Sequence, residues 1–262
     1  QVAGKTAVFH TDAQRILLAY LAAHQGKPQR RDSLAGLLSP DRPDKEALTY
    51  LRNRLTRLRR VLQDAKATPP WLEINRKHLA LRNGNDIQVD TVTFERLVAA
   101  VETHPHRQLA GCPACLERLE TAVNLVRGEL LAGLNFPSEM WESWLIAQRE
   151  HTQQRAIEAM TWLRDAQLAR GGWTAVLDIA QRQLAFEPWT EAAHRAVMTA
   201  HYQLGDRTAA LAQYEQCEKH LWEELGVDPE EETLALRQQI LDDSLDETEP
   251  ATTRAAIPDN LP

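Results

Sequence analysis

Lys45-Glu46-Ala47-Leu48-Thr49-Tyr50-Leu51-Arg52-Asn53-Arg54-Leu55-Thr56-Arg57-Leu58-Arg59-Arg60-Val61-Leu62-Gln63 carries two messages on one helix. Leu48, Leu51, Leu55, Leu58 and Leu62 recur at alternating steps of three and four, which is the period of an α-helix with one buried face. Thr49, Asn53, Thr56, Arg57 and Arg60 point away from that face. Between Lys45 and Arg60 there are six basic residues and one acidic one, Glu46. Asn and Arg side chains make paired hydrogen bonds to adenine and guanine edges in the major groove of DNA. Tyr50, Arg52, Arg54 and Arg59 flank the strip and suit phosphate contact. The plainer alternative is a solvated charged helix face.

The neighbouring segments favour the first reading. Upstream, Thr11 or Asp12 caps a helix that runs to about Gln25, with Ile16, Leu17, Tyr20 and Leu21 on one side. Gly26 stops it and Pro28 follows. A short helix, Arg31–Leu38, buries Leu34, Leu37 and Leu38, and Ser39-Pro40-Asp41-Arg42-Pro43 is a loop. Downstream, Thr68-Pro69-Pro70 breaks the chain. Leu72 and Ile74, then Leu79 and Leu81, flank Asn75-Arg76-Lys77-His78, a hairpin with a basic tip. Arg76 and Lys77 there can reach phosphate or the minor groove, although a plain polar turn would look the same. Helix, helix, long helix, hairpin is the winged helix-turn-helix order, in which the last helix reads DNA. Val2 and Ala7-Val8-Phe9 around Ala3-Gly4-Lys5 predict the end of a further hairpin whose first strand lies before Gln1.

Charge divides the chain in the same place. Residues 1–83 hold 16 Lys+Arg against 7 Asp+Glu, and the remainder 14 against 30. A basic head on an acidic body is the electrostatic footprint of a nucleic-acid module joined to something else. No apolar run approaches the ~18–20 residues of a membrane span, and nothing after Lys5 reads as a secretory leader. Three cysteines do not make a disulfide framework. The expectation is a cytoplasmic protein without a membrane partner. No phosphate-cradling glycine loop, HExxH or GxSxG is present, so no enzyme is expected and no catalytic residue is assigned. Glu230-Glu231-Glu232 follows Pro229 at a helix start, where acidic groups suit the helix dipole.

From Asp90 the pattern is helical, over 91–103, 113–126, 138–170, 172–186, 189–204, 206–225 and 229–242. Gly171 and Gly205 stand 34 residues apart, the period of a TPR repeat. Gly171-Gly172-Trp173 and Gly205-Asp206-Arg207 mark helix-helix turns, and Pro188 ends a second helix. Ala210 and Tyr214 take the small and aromatic packing positions; Val176 and Ala180 match them more loosely. Trp141, Trp144, Trp162, Trp173, Trp189 and Trp222 all fall in this body, where interhelix packing is the commoner role and an aromatic ligand pocket the rarer one. Residues 244–262 lose periodicity and read as a linker.

One segment carries metal chemistry. His104 and His106 precede Cys112-Pro113-Ala114-Cys115, giving four soft or borderline ligands in twelve residues, which suits one structural zinc. Two half-buried cysteines at a helix start are the plainer reading of the same residues. A redox pair would need a βαβ setting that a helical body lacks. Cys217 lies inside a helix and reads as core.

With these pieces in order, the chain resembles the SARP family of bacterial transcription activators, which join an OmpR-like winged helix to a bacterial transcriptional activator domain of TPR-like helices. In the head the resemblance rests on residues 15–22 and 51–60. In the body it rests on Arg127-Gly128-Glu129-Leu130-Leu131; on Trp144-Leu145 followed by Arg149-Glu150; on residues 188–195; and on Tyr214-Glu215-Gln216-Cys217 running to Glu224-Leu225-Gly226-Val227-Asp228-Pro229. Ser39 stands where the family often has tryptophan, and Asn53 where OmpR-like readers are often apolar, so no target sequence carries over.

The expected fold is mostly α: a winged-helix domain with small β-hairpins over 1–88, an all-α TPR-like domain over 89–243, and a linker over 244–262. The expected function is sequence-specific DNA binding coupled to activation, the alternative being a protein-interaction sensor whose winged helix leaves DNA alone. Double-stranded DNA is the first partner. The resemblance implies RNA polymerase or a sigma factor as another, with a second copy of the chain on DNA as a further candidate. It also implies that the chain leads into a STAND-type ATPase domain.

Overall fold

A computed structural model describes residues 6–245, and these form two compact units. The hairpin turn expected at residues 3–5 and the linker from residue 246 onward lie outside the described residues. Among the described residues the first unit comprises 6–93 and 127–152, the second 94–126 and 153–245. The boundary expected at 88/89 thus falls inside the first unit, which also takes in a segment of the helical body.

In the first unit the leucine patterns become α1 (Asp12–Ala23), α2 (Arg31–Leu38) and α3 (Asp44–Val61). Ile16, Leu17, Leu21, Leu34, Leu37, Leu51, Leu55 and Leu58 meet in one core. Removing such side chains from water is worth ~1.5–3 kcal/mol each, so the leucine row fixes the rotation of α3. Gln63 adopts a left-handed conformation, φ 52°, which ends α3 and starts a 3-10 turn at Asp64–Lys66.

The sheet has three antiparallel strands in the order β1 (Gln29–Arg30), β3 (His78–Leu81), β2 (Leu72–Ile74). Leu72 pairs with Leu81 and Ile74 with Leu79, while Gln29 pairs with Leu79 on the other side. Leu72, Leu79 and Leu81 enter the core, whereas Ile74 at the strand end stays exposed. The strand expected at Ala7-Val8-Phe9 is absent: residues 6–9 have no regular structure and Val8 is exposed. The edge of β3 is taken instead by β1, whose two residues sit between α1 and α2.

The same core is completed from far along the chain. Leu134, Trp141 and Leu145 are buried in it, and Leu131, Phe136 and Trp144 pack against it. Trp144 lies 5.1 Å from the Tyr20 ring of α1 and 5.0 Å from Trp141. Arg149 donates to the carbonyls of Leu130 and Leu131, holding the irregular 127–138 stretch onto the helix that follows.

The second unit is helical throughout its regular structure: α4 (Asp90–Glu102, from Phe94 on), α5 (Pro113–Leu125), the latter part of α6 (Glu139–Leu168), α7 (Trp173–Leu184), α8 (Glu191–Gln203), α9 (Arg207–Leu225) and α10 (Glu231–Leu241). Phe94, Val98, Leu119, Val123, Met160 and Leu163 join α4, α5 and α6. Arg155 on α6 bridges Glu95 and Glu102 on α4. Successive helices α7, α8 and α9 pack on one another as helical hairpins, with Gly171 (φ 69°) and Gly205 (φ 83°) supplying the left-handed turns. Val176, Ala180, Ala210 and Tyr214 are all buried, at the TPR packing positions. Among the described residues no helix is long and apolar enough to cross a membrane.

Candidate nucleic-acid interface

On α3, Leu51, Leu55, Leu58 and Ala47 are buried, and Thr49, Asn53, Thr56, Arg57 and Arg60 are all exposed. At ~100° per residue these five lie within about 60° of the direction opposite the leucines. The sequence thus places one uninterrupted outward strip of two arginines, one amide and two hydroxyls. Thr49 and Thr56 donate their hydroxyls to the carbonyls of Lys45 and Arg52, one turn back. That leaves their methyl groups and acceptor lone pairs outermost.

The flanking residues are positioned by intramolecular contacts. The guanidinium groups of Arg42 and Arg54 stand over the Tyr50 ring at 4.8 and 4.4 Å. Nothing in the sequence pattern singled out Arg42; it stacks on the same ring from the loop before α3. Arg59 donates through Nε to Asp64 at 2.8 Å. Asp64 is fully buried, and its other oxygen accepts the Leu72 N–H at 3.0 Å. One carboxylate therefore joins the end of α3 to the first strand of the hairpin, and it orients Arg59 while doing so. Arg52 is exposed.

The hairpin tip is built around Asn75. Its side-chain oxygen accepts from the N–H groups of Lys77 and His78, at 2.8 and 2.7 Å. Its carbonyl accepts from Arg31 at 3.1 Å. Arg76 and Lys77 are exposed at this tip and His78 is half-buried. Below it, Arg82 is buried against Trp71, donates to the Pro70 carbonyl and forms a two-pronged pair with Asp86. The Arg82 hydrogen bond holds the Asp86 carboxyl below its ordinary range.

The metal-ligand candidates lie in the second unit; three of them, His104, Cys112 and Cys115, form one close group, and His106 borders it through Cys115 alone. Cys112 Sγ is 3.7 Å and Cys115 Sγ 3.4 Å from His104 Nδ1, and Cys115 Sγ is 3.9 Å from His106 Nδ1. The ligand atoms of His104, Cys112 and Cys115 all lie within 4.8 Å of one another. Burial raises the Cys115 thiol pKa, with Cys112 adding and Arg118 opposing. Cys217 sits apart in the core, as expected, and burial pushes its thiol up to about 12. Trp141 and Trp162 are buried and Trp144 and Trp173 half-buried, but Trp222 at the end of α9 is 66% exposed.

Comparison with known proteins gives the family. The bacterial transcriptional activator domain matches residues 89–241. The regulatory protein AfsR of Streptomyces coelicolor is 28% identical over 255 residues, which are 97% of this chain and 24% of that protein. The transcriptional regulatory protein MoaR1 of Mycobacterium tuberculosis is 26% identical over 236 residues, 88% of this chain and 72% of its own length. This chain therefore spans about a quarter of one relative and most of the other. A solved structure of Mycobacterium tuberculosis EmbR, in complex with a low affinity phosphopeptide, covers 89% of this chain and 60% of that one, with a TM-score of 0.61 at 23% identity. That likeness shares the fold alone. These relatives are regulatory proteins by name, and the chain belongs to the bacterial transcriptional activator domain family, the SARP-type transcription regulators.

Proposed function

We propose that the chain is a cytoplasmic, sequence-specific DNA-binding activator that lays α3 in the major groove. The observation that carries this reading is the outward strip of α3, whose rotation is fixed by the buried leucines behind it. Asn53 and Arg57, four residues apart, face adjacent base steps. Thr49, Thr56 and Arg60 complete the base-reading set. Arg52, Arg54, Arg59 and Tyr50 take phosphates along the rim of the groove, Arg54 and Arg59 already oriented by Tyr50 and Asp64. Arg76 and Lys77 at the hairpin tip hold the neighbouring backbone. Phosphate neutralisation supplies most of the affinity and the strip supplies the discrimination.

The helical body acts through protein contacts, with RNA polymerase, a sigma factor or a second copy of the chain on DNA. Helical repeats build surfaces that hold other polypeptides. The exposed apolar end of α9, with Trp222, Leu225 and Val227, is chemistry suited to such a contact.

Selection of bound sequences from a random DNA pool tests the reading. On a selected site, Arg57→Ala costs ~1–3 kcal/mol and flattens the preference at one base pair. Arg52→Ala or Lys77→Ala weakens binding to all DNA alike and lowers the salt slope by about one. Unchanged affinity and base preference in Arg57→Ala would mean the wrong face or the wrong helix. Absence of heparin retention and of any salt-dependent shift of random DNA would favour a protein-interaction sensor instead.

A further inference from the structure

We propose that His104, His106, Cys112 and Cys115 hold one structural Zn²⁺ in the second unit. His104, Cys112 and Cys115 come within 4.8 Å of one another, and His106 reaches Cys115, because of where the backbone puts them. Cys112 is the N-cap of α5 and Cys115 lies in its first turn, so their thiols fall on neighbouring positions one turn apart. His104 follows the end of α4, its N–H held by the Val101 carbonyl at 3.3 Å. His106 comes two residues later, and the two imidazoles lie nearly parallel, 5.9 Å apart with an interplanar angle of 21°.

The separations are those of a metal's coordination shell. With Zn–S ≈ 2.3 Å and Zn–N ≈ 2.0–2.1 Å at tetrahedral angles, sulfur and nitrogen ligands stand about 3.6 Å apart. The three recorded sulfur-to-nitrogen distances are 3.4, 3.7 and 3.9 Å. A single thiol-imidazole hydrogen bond would account for one such contact, not for one imidazole nitrogen lying beside both thiols while a second imidazole reaches Cys115. His106 contacts Cys115 alone among the recorded pairs and closes on the ion as the fourth ligand.

The donor set selects the ion. Two thiolates and two imidazoles in a tetrahedral arrangement suit zinc, whereas calcium and magnesium take oxygen ligands. Four protein ligands leave no open position, which makes the site structural rather than catalytic. On binding, each of the two thiols gives up its proton to solvent and the imidazoles bind as neutral bases, so metal uptake releases two protons from the thiols and no electron moves. The segment so stapled, from Thr103 to Cys112, contains one 3-10 turn, Leu109–Gly111, and no α-helix or strand.

The test uses the full chain with any histidine tag removed. Elemental analysis of protein purified under reducing conditions is expected to give about one zinc per chain for this four-ligand site. Chain stripped of metal and titrated with Co²⁺ alone should develop the visible absorption of tetrahedral cobalt and a thiolate-to-cobalt charge-transfer band, both abolished by zinc. Cys112→Ser should halve the charge-transfer band. His106→Ala, on a half-buried loop position that leaves the core intact, should weaken Co²⁺ binding by more than the roughly 10–100-fold typical of losing an outer-shell partner. Zinc should also raise the melting temperature of the stripped chain. Metal-free protein that ignores Co²⁺ with both thiols reduced would overturn the proposal. So would a six-coordinate cobalt spectrum, or cobalt bound equally well by the Cys112→Ser/Cys115→Ser double variant.

Discussion

Asp64→Ala is expected to destabilise the first unit by about 2–4 kcal/mol. Two contacts are lost. The Leu72 N–H donates to Asp64 in the core at 3.0 Å, and a buried donor left without an acceptor costs ~1–3 kcal/mol. The Arg59 pair contributes less, because the arginine side chain is 46% exposed although the aspartate is fully buried. Solvent screening brings such a pair to ~0.5–1 kcal/mol. Asp64→Asn retains an oxygen for Leu72 and should cost only about 1 kcal/mol. Urea unfolding gives the total, and amide hydrogen exchange at Leu72 and the last turn of α3 gives the location. The alanine variant also releases the Arg59 guanidinium from its carboxylate partner. If Asp64→Ala unfolds at the wild-type urea midpoint and exchange at Leu72 does not accelerate, the carboxylate does not join helix to hairpin.

Three further outcomes follow from packing, protonation and backbone. Trp141 is fully buried and its indole N–H has no hydrogen-bond partner among the described residues; Trp141→Ala should cost about 3–5 kcal/mol in the first unit, while Trp141→Phe should be close to neutral in urea unfolding. Burial lowers the His194 pKa below its ordinary 6.5, His220 adding and the Pro188 carbonyl opposing. The unfolded chain therefore takes up the proton first, so stability is full above 6.5 and falls as pH drops below it toward the folded value. His194→Gln should flatten that part of the urea-midpoint profile, and a flat wild-type profile would contradict it. Gly226 ends α9 in the left-handed region at φ 67°, with nothing within 4 Å of an added Cβ; Gly226→Ala should cost about 1 kcal/mol by melting temperature, from backbone strain alone.

What could be read from the sequence was what local pattern encodes. The leucine row of α3 fixed both the helix and its outward strip, and the glycine spacing located the turns at Gly171 and Gly205. The His-x-His and Cys-x2-Cys spacing pointed to four residues, of which the fold gathers His104, Cys112 and Cys115 into one group. Other features carry no local signal. β1 is two residues, Gln29 and Arg30, too short for alternation to show, and it exists because β3 has an edge to offer. Ala7-Val8-Phe9 has strand propensity but no strand forms there, and propensity yields to pairing. Asp64 reads as a polar residue past a helix end, and its burial depends on Leu72 and Arg59 arriving from elsewhere. The packing of Leu134, Trp141 and Leu145 into the head is invisible for the same reason. α6 reads as one unbroken helix, and only the tertiary structure divides it.

That interruption has a consequence in time. The head is left open at residue 93 and completed only by residues 127–152. At ~5–20 residues per second, a ribosome takes about 3–12 s to travel from residue 93 to residue 152. Throughout that interval the leucine surface awaiting Trp141 and Leu145 faces water on a nascent chain, long enough for helix and hairpin formation to finish many times over. A nascent-chain chaperone would find its substrate there. A gene fragment cut at residue 93 would make that transient exposure permanent.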